Sequence, residues 1–323
     1  MMEVIMAQPP TDAGHAIAVS DLRMRYGDKD VLKGVDFTIE AGGVTALLGP
    51  NGAGKTTTIE ILEGFRSRSA GSVEVLGADP EHGGERWKAR MGIVLQEWRD
   101  NGKWRVRDLV AHFGDYYRPY AEPWGADELL DVVGLATQAK QRVQRLSGGQ
   151  RRRLDVALGI IGRPALLFLD EPTTGFDPHA RREFHELIHR LTDLEGTTIL
   201  LTTHDLDEAE KLAERILILA GGRIIADGSP DQLARAAATT AEVKWMQDGR
   251  LQVHATDDAT AFARKLLATD EGAVTDLEIR RASLEEAYMT LVEQFEAGEA
   301  EAAVDKFLSK LWLASFAKKE ATK

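Results

Sequence analysis

The sequence contains no cysteine among its 323 residues. Disulfide bonds and thiolate metal sites are therefore excluded, which is typical of proteins that work in a reducing compartment. The chain also lacks an apolar run that approaches the ~20 residues needed to cross a bilayer. Its longest apolar stretches are short segments such as residues 165–169 (ALLFL) and 216–220 (ILILA). We therefore expect no membrane-spanning helix.

Acidic residues outnumber basic residues in this chain. Lys and Arg number 40 against 52 Asp and Glu, which gives a formal net charge of -12. Non-specific nucleic-acid binding depends on cations that neutralise phosphates, so we expect no nucleic-acid partner. The first residues, MMEVIMAQPPTDAGH, carry an acidic residue and two prolines where a secretory signal needs positive charge and then an apolar core. We therefore expect that the chain is not secreted.

Hydrophobic residues make up 43% of the chain, enough for one large domain or two. Short apolar segments at 31–40 and 43–49, separated by glycine-rich turns, predict strands that feed a parallel core. The continuous apolar runs at 165–170 and 197–203 are typical of strands buried on both faces of a sheet. Between these two runs lies an amphipathic helix with apolar residues at helical spacing, namely Phe184, Leu187, Ile188 and Leu191. Strand, helix and strand together predict a βαβ core.

The other segments show different patterns of predicted helices and strands. Residues 98–158 show helical windows and no clear strand, which predicts an inserted helical subdomain. After Gly228, short strand-like and helical pieces predict a small α+β region at 232–295. The segment 296–323 places apolar residues on one predicted helical face, namely Val304, Leu308, Leu311, Trp312 and Phe316. There we favour a helix that packs on its own protein over one that binds a membrane surface or a partner.

A phosphate-binding motif occupies residues 49–57. GPNGAGKTT matches G-x-x-x-x-G-K-[ST], and it lies between a predicted strand and a predicted helix, as the motif requires. Its glycines let backbone N–H groups surround a phosphate, and the helix N-terminus adds partial positive charge. We expect Lys55 to reach the β- and γ-phosphates, Thr56 to bind Mg²⁺ and Thr57 to bond the α-phosphate. The predicted nucleotide-binding residues of this loop are Asn51, Gly52, Ala53, Gly54, Lys55, Thr56 and Thr57.

Two carboxylates end the apolar strand predicted at 165–170. An apolar strand that ends in a carboxylate beside a phosphate loop is the Walker B arrangement, in which Asp170 supports Mg²⁺ directly or through water. Glu171 follows it, where a second carboxylate can accept a proton from an attacking water. The alternative is an acidic pair that caps the next structural element.

With LSGGQ at residues 146–150, the sequence resembles the nucleotide-binding subunit of ATP-binding cassette (ABC) transporters. The resemblance implies an α/β P-loop fold with a RecA-like parallel sheet, an antiparallel β subdomain and the helical insertion, spanning 16–231 after a flexible N-terminus at 1–15. In that family the pentapeptide, called the signature, completes the ATP site of a second copy. The resemblance therefore implies that Ser147, Gly148, Gly149 and Gln150 contact ATP. We expect the arginines at 151–153 to form a solvated basic face.

Four further residues match motifs of the same family. Tyr26 resembles the aromatic residue that stacks on adenine. Gln96 resembles the glutamine that reaches Mg²⁺ and water from a loop that contacts the membrane partner. Asp177 resembles the aspartate at the dimer seam, and Phe176 before it replaces the usual Leu without affecting a catalytic residue. His204 resembles the histidine that bonds the γ-phosphate and holds the catalytic carboxylate and water in place.

Softer patterns, such as those at 62–80 and 147–178, resemble the daunorubicin-resistance type of ABC-2 exporter ATPases. This resemblance implies an ATPase that uses ATP and Mg²⁺ and is peripheral to the cytoplasmic face of the membrane. Its implied partners are a separate transmembrane permease and a second copy of the chain, because no motif is degenerate. Pairing with a different cassette stays open, as do drug, lipid, polysaccharide and peptide substrates.

Two other functions compete with this one. The first is a soluble ABC ATPase that acts on DNA or the ribosome. DNA-repair members place long coiled coils between the Walker motifs, and translation members carry two cassettes, whereas this chain has neither feature. The second is a regulatory role for residues 232–295, which would bind a ligand or a partner protein and gate the ATPase. It is compatible with transport.

Overall fold

The computed structural model describes residues 14–94, 101–237, 241–247, 250–256, 258–269 and 274–280, together with residues 285, 288 and 289. In these ranges the strands, in chain order, are β1 (His15–Tyr26), β2 (Lys29–Glu40), β3 (Val44–Leu48), β4 (Ala70–Val75), β5 (Met91–Val94), β6 (Leu166–Asp170), β7 (Thr198–Thr203), β8 (Arg215–Ala220), β9 (Arg223–Gly228), β10 (Ala241–Gln247), β11 (Arg250–Thr256) and β12 (Val274–Arg280). The α-helices are α1 (Lys55–Leu62), α2 (Glu85–Lys88), α3 (Val106–Tyr117), α4 (Ala126–Val132), α5 (Gly148–Ile160), α6 (Pro178–Glu195), α7 (Leu206–Leu212), α8 (Pro230–Ala237) and α9 (Ala259–Thr269). None of these helices is both long enough and apolar enough to span a bilayer.

Some predicted features lie outside the described residues. These are Gln96, the segment 296–323 and most of the flexible N-terminus predicted at 1–15. The last residue of that predicted N-terminus, His15, begins β1 and pairs with Glu40 of β2.

A six-stranded sheet forms the centre of the described chain, with the strand order β5-β6-β7-β3-β8-β9. Its strands are parallel except for β9, which pairs antiparallel with β8 at one edge. The strands predicted at 165–170 and 197–203 are confirmed as β6 and β7, which lie side by side. Every residue of β3, β6 and β7 is buried, as expected for a parallel sheet covered on both faces.

The continuous apolar runs arise because each strand supplies two hydrophobic clusters. Successive side chains of a strand point to opposite faces of the sheet. One face holds Ala46, Leu48, Leu167, Leu169, Ile199, Leu201, Ile216 and Ile218. The opposite face holds Leu47, Leu166, Phe168, Leu200, Leu217 and Leu219. Each such side chain contributes about 1.5–3 kcal/mol when fully buried, so both faces favour the same strand arrangement.

A separate antiparallel sheet with the order β2-β1-β4 confirms the expected antiparallel subdomain. The expectation that residues 31–40 feed the parallel core is therefore wrong. In β2 the buried Val35, Phe37 and Ile39 alternate with exposed residues. This period of two buries one face of the strand and leaves the other in solvent, which is typical of an antiparallel sheet.

Three helices, α3, α4 and α5, lie between β5 and β6 in the chain. Helix α5 packs closely on β5 where Gly92 faces Gly159. A Cβ on Gly92 would lie only 2.2 Å from the carbonyl oxygen of Gly159. Only glycine permits so close an approach of a helix to a strand backbone. The contact fixes α5, and the signature at its N-terminus, against the edge of the six-stranded sheet.

The C-terminal described segments form their own small unit. Strands β11, β10 and β12 make an antiparallel sheet in that order, and the strand-like pieces predicted between 242 and 255 are confirmed as the β10-β11 hairpin. Helix α9 covers one face, where Phe262 packs on Trp245 with 5.6 Å between ring centres and stacks on His254 at 4.1 Å. The unit thus has an α+β fold.

Candidate functional site

The loop between β3 and α1 forms the predicted phosphate cradle. Helix α1 begins at Lys55, and Gly54 before it has a φ of 109°. A Cβ on Gly54 would also lie 2.7 Å from Leu32 Cδ2, so both the backbone and the available space require glycine. The first N–H groups of a helix have no intrahelical partner and lie at the positive end of its dipole. This helix start is therefore suited to bind phosphate.

The Lys55 side chain is buried inside the loop. Its Nζ donates hydrogen bonds to the carbonyl oxygens of Gly49 at 2.7 Å and Pro50 at 3.3 Å. The same atom lies 3.5 Å from Glu171 Oε1. The loop thus holds an ammonium group at its centre, where a cation attracts anionic oxygens most strongly because little water screens it.

The Glu171 carboxylate contacts two basic side chains. Its Oε2 lies 2.6 Å from His204 Nδ1, and its Oε1 faces Lys55. The backbone N–H of Glu171 donates to the carbonyl oxygen and to Oγ1 of Thr202, at 3.2 and 3.0 Å. Glu171 has a φ of +45°, a left-handed conformation that is uncommon for residues other than glycine. Backbone strain of this kind is concentrated at functional sites.

Asp170 is the last residue of β6, and it is buried. Its Oδ1 accepts a hydrogen bond from Thr202 Oγ1 at 2.5 Å, and Thr202 is its neighbour in the register of β6 and β7. A single threonine thus contacts both Asp170 and Glu171. Thr202 was not predicted from the sequence, although a polar residue inside the apolar run TILLTT is a signal of such a contact.

The phosphate loop, Glu171 and His204 line one cavity of about 510 Å³. We call it the P-loop cavity. Its lining residues are Lys29, Val31, Asn51, Gly52, Gly54, Lys55, Thr56, Thr57, Glu171, Thr174 and His204. Ala53 is buried and does not line this cavity. Tyr26 does not line this cavity; it is exposed, with the Arg66 guanidinium 5.1 Å from its ring centre.

The signature residues lie in a different cavity of about 540 Å³, which we call the signature cavity. Ser147 caps α5: its Oγ accepts from the N–H of Gln150 at 3.3 Å, and Gln150 Oε1 accepts from the N–H of Ser147 at 3.0 Å. Asp177 caps α6 and lines the same cavity. The lining is Ser147, Gly148, Gly149, Gln150, Arg153, Gly175, Phe176, Asp177, His179, Ala180 and Glu183. Among the described residues, none lines both cavities.

Two of the predicted metal ligands are described, Thr56 and Asp170. Thr56 is exposed in the first turn of α1, and Asp170 lies at the end of β6. Hydroxyl and carboxylate oxygens are ligand types that Mg²⁺ accepts, and Mg²⁺ in phosphate sites takes one or two protein groups and completes its shell with phosphate oxygens and water. The donor types therefore fit Mg²⁺.

The expectation of a solvated basic face at residues 151–153 is wrong. Arg151 is 8% exposed and Arg152 is 5% exposed, while Arg153 is half-buried. Arg151 Nη1 donates to the carbonyl oxygen of Val143 at 3.3 Å, within the helical segment between β5 and β6. Consecutive residues of a helix point in directions about 100° apart, so three arginines in a row cannot share one solvated face.

Arg152 instead reaches the end of β6. Its Nε donates to the carbonyl oxygen of Pro172 and its Nη2 to that of Asp170, both at 3.0 Å. Burial lowers the pKa of the Arg152 guanidinium from its ordinary value, and this shift is opposed by the negative charges of Asp155, Asp170 and Glu208. Burying a cation is costly unless anions and acceptors surround it, as they do here.

Glu63 is a second buried ionisable residue that the sequence analysis did not identify. It lies at the C-terminus of α1 and is 2% exposed, and its Oε2 has no hydrogen-bond partner among the described residues. Burial raises the pKa of its carboxyl to about 8, and the charges of Asp170 and Glu60 also raise it. Glu63 therefore carries a proton at neutral pH.

A family model described as "ABC transporter" matches residues 32–174, which include the phosphate loop, the signature and Glu171. The chain is 35% identical over 305 residues to the daunorubicin resistance ATP-binding protein DrrA3 of Streptomyces coeruleorubidus, covering 86% of this chain and 96% of that protein. It is 42% identical over 222 residues to the Nod factor export ATP-binding protein I of Rhizobium meliloti (strain 1021), covering 68% of this chain and 65% of that one.

The fold is similar to that of solved ATP-binding subunits. The structure of cbiO1 from Clostridium perfringens, described as part of the ABC transporter complex cbiONQ, matches with a TM-score of 0.58 and 25% sequence identity. The match covers 68% of this chain and 91% of that chain. Most of that subunit thus corresponds to about two thirds of the present chain.

We predict that Glu63→Gln stabilises the protein in a pH-dependent manner. The folded state keeps a proton on Glu63 up to about pH 8, whereas the unfolded state loses it near the ordinary value of 4.5. Protons are therefore released on unfolding, and the parent loses stability as the pH rises from about 4.5 to 8. The variant lacks this loss, so its advantage should grow across that window to roughly a few kcal/mol.

Urea unfolding at a series of pH values measures this difference. Asp207→Asn is the control, because it removes an exposed ion pair with Lys211 on α7 and should change stability by less than about 1 kcal/mol. A constant difference between Glu63→Gln and the parent from pH 5 to pH 8 would contradict the prediction.

Proposed function

This chain belongs to the ATP-binding subunits of ABC transporters, and we propose that two copies of it hydrolyse ATP in shared sites to drive an exporter-type permease. Such subunits are ATPases that work with membrane permease components. The observation that carries the proposal is the position of Glu171, which contacts Lys55 and His204 in the P-loop cavity while the signature lines a separate cavity.

In the proposed reaction, a water molecule attacks the γ-phosphate of ATP held by the phosphate loop, and the bond from that phosphorus to the bridging oxygen breaks, so that ADP is the leaving group and phosphate is released. Glu171 accepts the proton of that water at its carboxylate. His204 Nδ1, at 2.6 Å from Glu171 Oε2, orients the carboxylate, and the Lys55 ammonium stabilises charge on the phosphate oxygens. When bound, Mg²⁺ would be held by Thr56, Asp170 and phosphate oxygens and would neutralise charge on the phosphates. Tyr26 would contact adenine, and Gln96 would reach Mg²⁺ and water.

The separation of the two cavities supports a head-to-tail homodimer. Ser147 and Gly149 lie at the N-terminus of α5, where the helix dipole favours an anion. Because the signature does not face the phosphate loop of its own copy, we propose that it contacts the γ-phosphate bound by the other copy. Asp177, which lines the signature cavity, would lie at the seam between the copies.

We propose that the permease binds at a third cavity, of about 330 Å³, which lies between the six-stranded sheet and helices α3 and α5. Strand β5, which leads to Gln96, forms part of its wall. Its rim carries Phe65, which is 62% exposed, and its wall includes Phe113 and Tyr117. An exposed aromatic side chain beside an apolar cleft is typical of a protein interface. We call this surface the aromatic cleft.

The permease would hold the chain at the cytoplasmic face of the membrane. The names of the relatives, daunorubicin resistance and Nod factor export, indicate outward movement of a substrate, which we propose for this system as well. They give no support to the alternative action on DNA or the ribosome. We keep as proposals the cassette at 16–231 with its helical insertion at 98–158, and a gating role for residues 232–295.

We predict that Glu171→Gln lowers the ATP turnover rate by about 10² to 10⁴, because the general base is lost. Binding of ATP should survive, since the amide keeps the shape of the carboxylate and Lys55 keeps its place in the loop. Steady-state phosphate release and equilibrium binding of a fluorescent ATP analogue measure the two quantities. Turnover within threefold of the parent would remove Glu171 from its proposed role.

We predict that Ser147→Arg and Lys55→Ala each abolish hydrolysis and that a mixture of the two variants recovers part of it. A mixed dimer has one intact site, with Lys55 from one copy and Ser147 from the other, so random pairing should restore roughly a quarter of the parent activity. The control mixes Ser147→Arg with the double variant Ser147→Arg/Lys55→Ala, which offers no intact site. Full activity of Ser147→Arg alone would contradict a shared site.

We predict that the Glu171→Gln protein, trapped with Mg-ATP in its native cells, co-purifies from mildly solubilised membranes with a polytopic membrane protein. Phe65→Asp in this background should greatly reduce that recovery, because a charge replaces the aromatic side chain at the cleft. Leu251→Asp is the matched control, since Leu251 is also 62% exposed but lies on β11. Mass spectrometry identifies the partners. Recovery only with ribosomal or DNA-bound proteins would overturn the transport function.

A further inference from the structure

The Arg152 guanidinium holds both sides of Glu171. Its Nε and Nη2 donate to the carbonyl oxygens of Pro172 and Asp170, the residues that flank Glu171, each at 3.0 Å. Arg152 is 5% exposed, so little water competes for these bonds. Hydrogen bonds from a charged donor in a buried place are stronger than those of neutral donors. Arg152 thus holds the backbone at both ends of residues 170–172, and the middle residue, Glu171, carries the proposed general base. We call this pair of hydrogen bonds the clamp.

The clamped residue needs such support because of its backbone. Glu171 has a φ of +45°, which L residues other than glycine adopt rarely. A residue in this conformation keeps it only where the surrounding structure fixes it. Thr202 fixes the N–H of Glu171, and Arg152 fixes the carbonyls on either side. Together they determine where the carboxylate leaves the chain, and hence its contacts with Lys55 and His204.

The clamp comes from the helix that presents the signature. Ser147 caps α5 in the signature cavity, and Arg152 lies five residues further along the same helix. A shift of α5 that follows contact between the signature and a second copy would therefore move the clamp as well. We propose that Arg152 is a positioning residue that sets the position of the Glu171 carboxylate in its own copy. It would also couple that position to the placement of α5 against the second copy, and this part rests on the proposed function.

The chain offers a matched control on the same helix. Arg151 is buried almost as deeply as Arg152, but its Nη1 donates to the carbonyl oxygen of Val143, which precedes α5 in the chain. Arg151→Lys thus tests the cost of altering a buried arginine in α5, and Arg152→Lys tests the clamp. Lysine keeps the positive charge that faces Asp155, Asp170 and Glu208, but a single ammonium does not reproduce the forked pair of bonds.

The first experiment is a double-mutant cycle of ATP turnover. Arg152→Lys should lower kcat by roughly 10- to 100-fold, since a misplaced reacting group costs up to about 10²-fold, and should change KM for ATP by less than about threefold. In the Glu171→Gln background the same substitution should change the residual rate by less than about twofold, because no base is left to misplace. Arg151→Lys should cost less than about threefold, by the same factor in both backgrounds. Thermal unfolding and ATP binding are measured for all six proteins.

Equal factors for Arg152→Lys in the two backgrounds would overturn the proposal, since they would show a general structural cost. If Arg152→Lys unfolds more than about 10 °C below the parent, Arg152→Gln is measured in the same cycle, because it retains one of the two bonds. A normal turnover of Glu171→Gln itself would instead refute the proposed function. The two failures are thus distinguishable.

A mixed-dimer measurement then shows on which copy the residue acts. In the mixture of Ser147→Arg and Lys55→Ala proteins, the intact site combines Glu171 of the first with the signature of the second. Arg152→Lys placed in the Ser147→Arg copy should remove about nine tenths of the recovered activity or more, in line with the loss in kcat. Placed in the Lys55→Ala copy, it should remove less than about half. The reverse order of effects would show that Arg152 acts only through the signature it carries, and would overturn the proposal.

Discussion

The placement of the phosphate loop, Asp170, Glu171 and His204 depends on the burial of the main sheet on both faces. Parallel strands end on the same edge of a sheet, and β7 lies between β3 and β6 in this one. The end of β3 leads into the phosphate loop, the end of β6 supplies Asp170 and Glu171, and the end of β7 leads to His204. Ligand sites of open α/β sheets form at this carboxyl edge for the same reason. The apolar runs thus fix the geometry of a site to which they contribute no reacting group.

Several carboxyl groups of the cassette are paired with cations or carry a proton. Glu171 faces Lys55 and His204, and the charges of Asp155 and Asp170 act on the Arg152 guanidinium. Glu63, for which the described residues offer no such partner, keeps its proton near neutral pH because burial raises its pKa to about 8. Pairing and protonation thus limit the cost of burying these carboxyl groups.

Sequence patterns predicted the features whose cause is local. The phosphate loop and the carboxylates at the end of β6 each follow from a few adjacent residues, and the continuous apolar runs identified β6 and β7. The sheet to which residues 31–40 belong was not predicted from the pattern, because partner choice depends on residues far apart in the chain. The burial of Arg151 and Arg152 was missed for a related reason. Whether an arginine in a helix is solvated depends on what packs against that face, here the end of β6.

The structure also bears on why hydrolysis would need two copies. Glu171 already contacts both Lys55 and His204 within one chain, so a partner is not needed to bring the three together. What one chain lacks in its P-loop cavity is the N-terminus of α5, which lines a different cavity. In the proposed dimer, the partner would contribute N–H groups and a helix dipole at the γ-phosphate, where charge changes during the reaction. Ser147 and Arg152 are five residues apart on α5, about 7.5 Å along a rigid helix axis. A single short element would therefore join the surface that meets the partner to the proposed positioning residue, and no long chain of contacts would be required between them.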